Sequence, residues 1–355
     1  MISKEQVLHA LSQVDDPDLK KDLVSLGMIR DLNIQQDQVS FTVMLTTPAC
    51  PMKDMIEQAC RNAIRLMVPE AKAVEVRMSS ETRNHRPADG ILPGVKNIIA
   101  VASGKGGVGK STVAANLALA LSRSGAKTGL LDADIYGPSL PTLFGLQEAP
   151  EMRESEGRNI MIPHVRNDIK LMSIGFLADP KQAIVWRGPM ISSAIRQMVQ
   201  DTDWGELDYL IIDLPPGTGD AQLTLVQQVP LTGVIMVCTP HDLALADARR
   251  AMAMFRVPGI EKPVLGVVEN MSWFSPNDAP EKRYYLFGKD GGLRLAEEGN
   301  VPLLVQIPMY EQQDRALLLE PGHPAFSYYQ ELAGTTARYV SILNNSKMNS
   351  FAGSA

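Results

Sequence analysis

The sequence predicts an α/β fold, a doubly wound and mostly parallel sheet that is preceded by a small α+β domain. Three observations support this. Five short apolar runs lack the alternation of half-exposed strands, helical segments separate them, and a polar stretch rich in proline and glycine sets off the first 80 residues. Apolar strands that alternate with helices are typical of a parallel sheet buried on both faces. The five runs are 98–102, 129–131, 209–212, 234–237 and 264–268.

Residues 1–80 form the predicted small domain. A helix is expected over 4–13, two strands over 28–34 and 39–45, a helix over 51–67 and a third strand over 73–78. Pro51 suits the first position of the second helix, because the N–H that proline lacks has no partner there. The remaining predicted divisions are a linker over 81–96, the larger domain over 97–343, and a disordered tail, polar and rich in serine and asparagine, over 344–355.

Composition and charge exclude several classes of protein. The chain has 355 residues, 45% of them apolar, and a net charge of −6 with no run of lysine or arginine. No segment approaches the roughly 18 uninterrupted apolar residues of a membrane span, and the first residues lack the apolar core of a signal peptide. We therefore expect a cytoplasmic protein that binds neither nucleic acid nor a membrane. Three cysteines, an odd and sparse set, argue against a disulfide framework.

The first apolar run of the larger domain ends in a glycine-rich segment, Gly104-Lys105-Gly106-Gly107-Val108-Gly109-Lys110-Ser111-Thr112. It fits the pattern G-x-x-x-x-G-K-[ST] and lies between a buried strand and a helix predicted over 110–123, as a P-loop does. Backbone N–H groups of such a loop surround the phosphates of ATP, and the helix N-terminus adds its positive dipole end. Lys110 is expected to reach the β- and γ-phosphates and Ser111 to ligate Mg²⁺. A glycine-rich turn without a ligand is the alternative.

Aspartates follow two other buried runs. Asp213 ends the third run, where a carboxylate beside the first strand is placed to hold Mg²⁺ through water. The next segment looks like a switch loop, and its Gly217 could lend an N–H to the γ-phosphate. Asp132 and Asp134 end the second run. Each aspartate could instead cap a helix or close a turn.

Lys105 is a second lysine in the loop and is not needed to close the turn. Its spacing from Lys110 resembles the deviant Walker A motif of the MinD, ParA and nitrogenase iron protein class. The resemblance implies a homodimer in which Lys105 reaches across the interface to the partner's nucleotide. It also implies that Asp134 orients the attacking water, that Asp132 supports the site and that Asn270 contacts adenine. A solvated lysine and an ordinary strand-end asparagine are the alternatives.

Further motifs narrow the resemblance. Beside the P-loop they are 132–139, 186–190, 213–220 and 269–272, and together they resemble the Mrp/ApbC family of ATPases that carry iron–sulfur clusters to apo-proteins. Residues 46–51 resemble the MIP-eighteen-type domain that is often fused to them. The resemblance implies an Mg-dependent ATP hydrolase whose partners are apo iron–sulfur proteins and cluster assembly scaffolds.

The cysteines depart from the family pattern. Many members carry C-x-x-C after the Asn-Met-Ser segment, where two protomers hold one cluster, but this sequence has no cysteine in 273–278. Cys60 and Cys238 lie on apolar faces and are expected in the core. Cys50 precedes Pro51 at the expected helix start, where the dipole lowers the pKa of a thiol, and is the candidate iron–sulfur ligand. A small capping residue is the alternative, and a cluster held by Cys50 alone should be labile.

Two other functions are compatible with these motifs. A ParA/MinD-like spatial-organising ATPase needs a membrane-binding amphipathic helix or a basic DNA-binding face. An adaptor that uses ATP only to switch partners, having lost cluster binding, would explain the missing C-x-x-C. Reconstitution with iron and sulfide, followed by transfer to an apo-enzyme, distinguishes the carrier from both.

Overall fold

The computed structural model describes residues 2–82, 90–155, 157–177, 188–311 and 322–352. Its contacts divide the chain into a small unit, Met1–His85 with Ala337–Ala355, and a large unit, Arg86–Thr336. The predicted α/β fold with a small preceding domain is confirmed. The small unit differs from the predicted one because it takes in the end of the chain.

The small unit packs helices against a three-stranded sheet. Its elements in chain order are α1 (Lys4–Leu11), β1 (Asp15–Asp16), β2 (Lys21–Asp22), β3 (Ile29–Gln35), β4 (Gln38–Leu45), α2 (Lys53–Met67) and β5 (Ala73–Ser80). The central strand β4 is antiparallel to β3 and parallel to β5. Apolar side chains of α1, α2 and β4 form one core, including Leu11, Phe41 and Ile64.

Helix α2 begins two residues later than predicted. Met52 is its N-cap, and the N–H of Lys53 donates to the carbonyl of Cys50 in a preceding turn. Pro51 therefore lies in that turn rather than at the first helical position, and Cys50 is separated from the helix by two residues.

The large unit is built on an eight-stranded sheet. Its elements in chain order are β6 (Val95–Ser103), α3 (Lys110–Arg123), β7 (Thr128–Asp132), α4 (Leu140–Phe144), β8 (Glu151–Ser155), β9 (Arg158–Ile162), β10 (His164–Arg166), β11 (Ile169–Ser173), a 3-10 helix (Ile174–Phe176), α5 (Gly188–Gln200), β12 (Leu207–Asp213), α6 (Asp220–Gln228), β13 (Gly233–Cys238), α7 (Asp242–Met254), β14 (Val264–Phe274), α8 (Gly291–Glu298) and β15 (Leu303–Met309). The last helix, α9 (Phe326–Ala352), begins in the large unit and belongs to the small unit from Ala337 onward.

The strand order of this sheet brings the polar strand ends together. The order is β10-β11-β7-β12-β6-β13-β14-β15, and among the described strands only the β10–β11 pair of this sheet is antiparallel. Strand β6, which leads into the P-loop, lies between β12 and β13. In the register of the three neighbouring strands β11, β7 and β12, Ser173 is opposite Asp132 and Asp132 is opposite Asp213. Three polar side chains thus end adjacent strands at the carboxyl edge, beside the P-loop.

The expectation of a disordered tail from residue 344 is wrong as far as Ala352, because α9 continues to that residue. Ala337, Val340 and Asn344 are buried along the part of the helix that leads into this segment, and their spacing places them on one face. Arg338 Nε lies 2.6 Å from Asp18 Oδ1, within the small unit. Burial of this face gives the helix a tertiary support that composition does not reveal. No helix in the described ranges has the length and apolar character to cross a membrane.

Candidate nucleotide site and the cysteines

The P-loop joins β6 to α3, and α3 begins at Lys110 as predicted. Gly107 and Gly109 both have φ of +83°, the left-handed region that favours glycine. Gly104 lies so close to the backbone of Asp247 and Ala248 that a Cβ there would overlap them. The loop therefore needs glycine at these positions for its backbone path.

Lys110 stands at the centre of a buried charge cluster. Its side chain is only 6% exposed, and its Nζ lies 2.5 Å from Asp213 Oδ1 and 3.5 Å from Asp134 Oδ2. Ser111 Oγ is 3.4 Å from the same nitrogen. The fold brings together one cation, two carboxylates and a hydroxyl from β12, the loop after β7, and the start of α3.

Two oxygens of this cluster are buried without a hydrogen-bond partner in the described part of the chain, Asp134 Oδ1 and Asp213 Oδ2. Burial raises the pKa of Asp213, although the charge of Lys110 and hydrogen bonds from Lys110 and Ser111 oppose that rise. Unpaired carboxylate oxygens beside a hydroxyl are the donors that Mg²⁺ takes, usually with waters and phosphates completing its shell. The residues present therefore fit an Mg²⁺ ion at this edge of the sheet.

Asp132 is fully buried, and its carboxylate accepts four hydrogen bonds. Oδ1 accepts the N–H of Asp134 at 3.1 Å, and Oδ2 accepts the N–H groups of Ser139 and Leu140 at 2.9 and 3.1 Å and the hydroxyl of Ser173 at 3.0 Å. Burial, assisted by the nearby charge of Asp213, raises the pKa of Asp132 to about 7. The Asp132 carboxylate therefore holds the backbone of the loop 133–140, which carries Asp134, by hydrogen bonds.

The other predicted site residues border the loop. Asn270 lies inside β14 rather than at a strand end, and its Nδ2 donates to the carbonyl of Val108 at 2.9 Å. The N–H of Gly217 donates to the carbonyl of Ser103 at 2.9 Å. Lys105 is half-buried in the loop. Within the 186–190 motif, 188–190 begin α5, and 186–187 lie outside the described residues.

Sequence comparison decides the family. Residues 94–345 match the ParA profile described as NUBPL iron-transfer P-loop NTPase, and residues 4–78 match a profile described as iron–sulfur cluster assembly protein. The chain belongs to the iron-transfer P-loop NTPase family. As a member of this family, it is a nucleotide-hydrolysing protein.

Curated relatives of this family cover nearly the whole chain. An iron–sulfur cluster carrier protein of Synechocystis is 50% identical over 87% of this chain and 88% of its own length. Another protein of that name, from Deinococcus radiodurans, is 46% identical over 97% of both chains. Among solved structures, a nucleotide-binding protein of Archaeoglobus fulgidus in complex with ADP is 37% identical, with a TM-score of 0.54, over 69% of this chain and 90% of its own.

Cys50 does not have the environment predicted for it. The thiol is half-buried, and burial, with the charges of Asp16 and Asp18 as smaller contributions, raises its pKa. The prediction of a lowered pKa is wrong, because α2 begins three residues beyond Cys50 and desolvation outweighs the turn's hydrogen bond. Cys50 lines a small cavity of the small unit together with Thr47 and Arg338.

Cys60 and Cys238 are buried in the two cores, as predicted, and burial raises the pKa of each thiol to about 12. The parts of the chain that the structure describes contain no group of three or more histidine, cysteine, aspartate or glutamate side chains arranged to hold a metal ion.

Proposed function

We propose that this chain is an Mg²⁺-dependent ATPase that carries iron–sulfur clusters and transfers them to apo-proteins. The observation that carries the proposal is the buried contact of the P-loop Lys110 with Asp213 and Asp134, in a chain of an iron-transfer P-loop NTPase family. The relatives named iron–sulfur cluster carrier proteins, which match both units, support the choice of cargo.

Each residue of the site has a role in this proposal. The N–H groups of 104–112 surround the phosphates, and Lys110 moves from the carboxylates to the β- and γ-phosphates, which carry more negative charge. Ser111 and Asp213 would hold Mg²⁺, which neutralises phosphate charge when bound. Asp134 accepts a hydrogen bond from the attacking water and orients it.

Two further roles concern the rim of the site. Asn270 would contact the adenine, which requires that its amide exchange the carbonyl of Val108 for the base. Gly217 would give its N–H to the γ-phosphate, which requires release from Ser103. The Gly217 exchange would tie the presence of ATP to movement of the loop after β12, as in other nucleotide switches, and the Asn270 exchange would free the P-loop carbonyl of Val108.

ATP hydrolysis by the purified chain tests the nucleotide site. Lys110→Ala should abolish turnover and weaken ATP binding, whereas Lys127→Ala, which removes an exposed lysine of the same unit, should retain both. Activity should disappear with a chelator and return with added Mg²⁺. Parent-level hydrolysis by Lys110→Ala would place the active site elsewhere.

The proposed homodimer depends on Lys105, which would reach the nucleotide of the partner. Lys105→Ala should bind ATP but lose dimerisation with a non-hydrolysable analogue, measured by sedimentation. Mixing it with Lys110→Ala should restore part of the activity, since each heterodimer then holds one complete site. A Lys105→Ala protein that dimerises and turns over normally would contradict action across the interface.

Cluster binding is tested by anaerobic reconstitution with iron and sulfide, followed by transfer to an apo-enzyme. We propose Cys50 as the ligand that this chain supplies, because Cys60 and Cys238 are buried in cores. Cys50→Ser should lose reconstituted iron and keep ATPase activity, whereas Cys60→Ala and Cys238→Ala should keep iron and lose about 1 kcal/mol of stability. If Cys50→Ser retained the full iron content, residues other than Cys50 would hold the cluster. A parent chain that binds no iron would favour the ATP-switched adaptor.

A further inference from the structure

Ser173 ends strand β11, outside the P-loop motif, and its hydroxyl is fixed beside the site. The side chain is fully buried. Its Oγ accepts the N–H of Gly175 at 3.0 Å and lies 3.0 Å from Asp132 Oδ2. A serine hydroxyl has one proton to donate, and with the Gly175 N–H already directed at the oxygen, that proton points to Asp132.

Asp132 passes this constraint to the neighbouring loop. Its two oxygens accept N–H groups from both ends of the segment that follows β7, Asp134 at one end and Ser139 and Leu140 at the other. The carboxylate therefore closes the segment into a ring. Of the four donors named above, only the Ser173 hydroxyl comes from another strand, so this hydrogen bond ties the ring to the neighbouring strand β11.

Asp134 is the member of that ring that faces Lys110, with 3.5 Å between its Oδ2 and the lysine Nζ. A buried carboxylate that loses one of its charge-assisted hydrogen bonds is free to rotate or to recruit water. Either change moves the N–H of Asp134 and, with it, the carboxylate that would orient the attacking water. Displacements of this kind lower the rate of a reaction more than they weaken binding.

We propose that Ser173 is a positioning residue for nucleotide hydrolysis, acting through Asp132 to hold Asp134 in register with Lys110. The inference rests on the proposed ATPase activity, in which Asp134 acts on the attacking water. The competing role for Ser173 is local: its side chain caps the 3-10 helix Ile174–Phe176 through Gly175. That role predicts lost stability without a selective effect on turnover.

Steady-state ATP hydrolysis by Ser173→Ala, Ser173→Thr and Ser173→Cys separates these roles. We expect Ser173→Ala to lower kcat about tenfold and to change KM for ATP less than twofold, since a hydrogen bond to a charged group is lost from the reacting arrangement. Ser173→Thr, which keeps the hydroxyl, should recover most of kcat. Ser173→Cys, a weaker donor of similar size, should have a kcat between those of the alanine and threonine variants.

A matched control is Thr202→Val, which deletes another buried hydroxyl of the large unit, one that donates to the carbonyl of Met198 at 2.7 Å. This variant should lose stability and keep kcat. Amide hydrogen exchange of residues 133–140, which requires no turnover, should be faster in Ser173→Ala and unchanged in Thr202→Val.

The outcomes are distinguishable. A parent chain that does not hydrolyse ATP would overturn the proposed function, while the exchange measurement still reports whether Ser173 ties down the loop. If the parent hydrolyses ATP and Ser173→Ala has a kcat within twofold of it, the inference is overturned. It is also overturned if all three variants lose kcat equally, because that result indicates a packing role rather than the hydroxyl donor.

Discussion

The pair formed by Lys110 and Asp213 gives the sharpest test of the site in solution, through a double-mutant cycle with Lys110→Met and Asp213→Asn. The two charged atoms lie 2.5 Å apart, and the side chains are 6% and 0% exposed. Removing one partner of such a buried pair leaves the other charge without compensation, which costs about 3–5 kcal/mol. For a unit of this size that corresponds to a fall in Tm of about 6–20 °C.

The pH dependence of this loss has a definite sign. Lys110 lowers the pKa of Asp213, which burial raises, so Lys110→Met raises that pKa further. A carboxyl whose pKa is higher in the folded than in the unfolded state binds its proton more tightly when folded. The destabilisation by Lys110→Met should therefore be complete above the folded-state pKa and should fade as the pH falls towards the unfolded value of about 4.

Chemical denaturation followed at pH 8 and pH 5 measures the cycle. At pH 8 the double variant should be much more stable than the sum of the single effects predicts, because neither charge remains. The half-exposed pair of Arg249 and Glu298, with nitrogen–oxygen distances of 2.6 and 2.9 Å, is the control and should couple far more weakly, because solvent screens its charges. If the coupling energy between Lys110 and Asp213 were no larger than that of the control, the two side chains would not form a buried ion pair in solution.

Three further predictions concern the loop, the buried carboxylate and the thiols. Gly104→Ala should lower the Tm of the large unit and abolish nucleotide binding, because a Cβ there overlaps the backbone of Asp247, whereas Gly106→Ala, with open space around the Cβ, should leave Tm nearly unchanged. The pKa of Asp132 is raised from 3.8 to about 7, so its contribution to the free energy of unfolding should be lost as the pH rises from 4 to 7. Asp132→Asn should remove this pH dependence from a series of denaturation curves. An unchanged pH dependence would assign it to other groups. Alkylation of the native chain at pH 8 should label Cys50 before Cys60 and Cys238, whose thiols are buried with pKa values of about 12, and equal labelling rates read by mass spectrometry would contradict their burial.

Much of the large unit could be predicted because its signals are local. Continuous apolar runs marked β6, β7, β12, β13 and the first half of β14, and the P-loop pattern fixed the start of α3 at Lys110. Strands β11 and β15 were missed because their apolar runs are short: Lys170 interrupts the run in β11, and Gln306 and Pro308 interrupt the run in β15. The β8–β9 hairpin was missed for another reason: β8 is exposed along its whole length, so no apolar pattern marks it.

The finer arrangement of the site depends on contacts between residues far apart in the sequence. The hydrogen bond between Ser173 and Asp132 spans 41 residues and that between Asn270 and Val108 spans 162. Neither follows from a motif, because both depend on strand register. The prediction for Cys50 was wrong because of local details. Two residues of turn separate Cys50 from α2, and burial of the thiol raises its pKa instead of lowering it.

The contribution of α9 to the small unit has a consequence for how the chain is made. Asp18 and Thr46 leave the ribosome before the large unit does, but their partners Arg338 and Ser341 are synthesised about 300 residues later, since the Ser341–Thr46 contact alone spans 295 positions. Until then the small unit lacks one of its pieces, while the large unit, continuous in sequence, can fold as a block. Because loop-closure entropy grows slowly with loop length, closing so long a loop costs little more than closing a shorter one. The small unit is thus begun before the large unit and completed only after it.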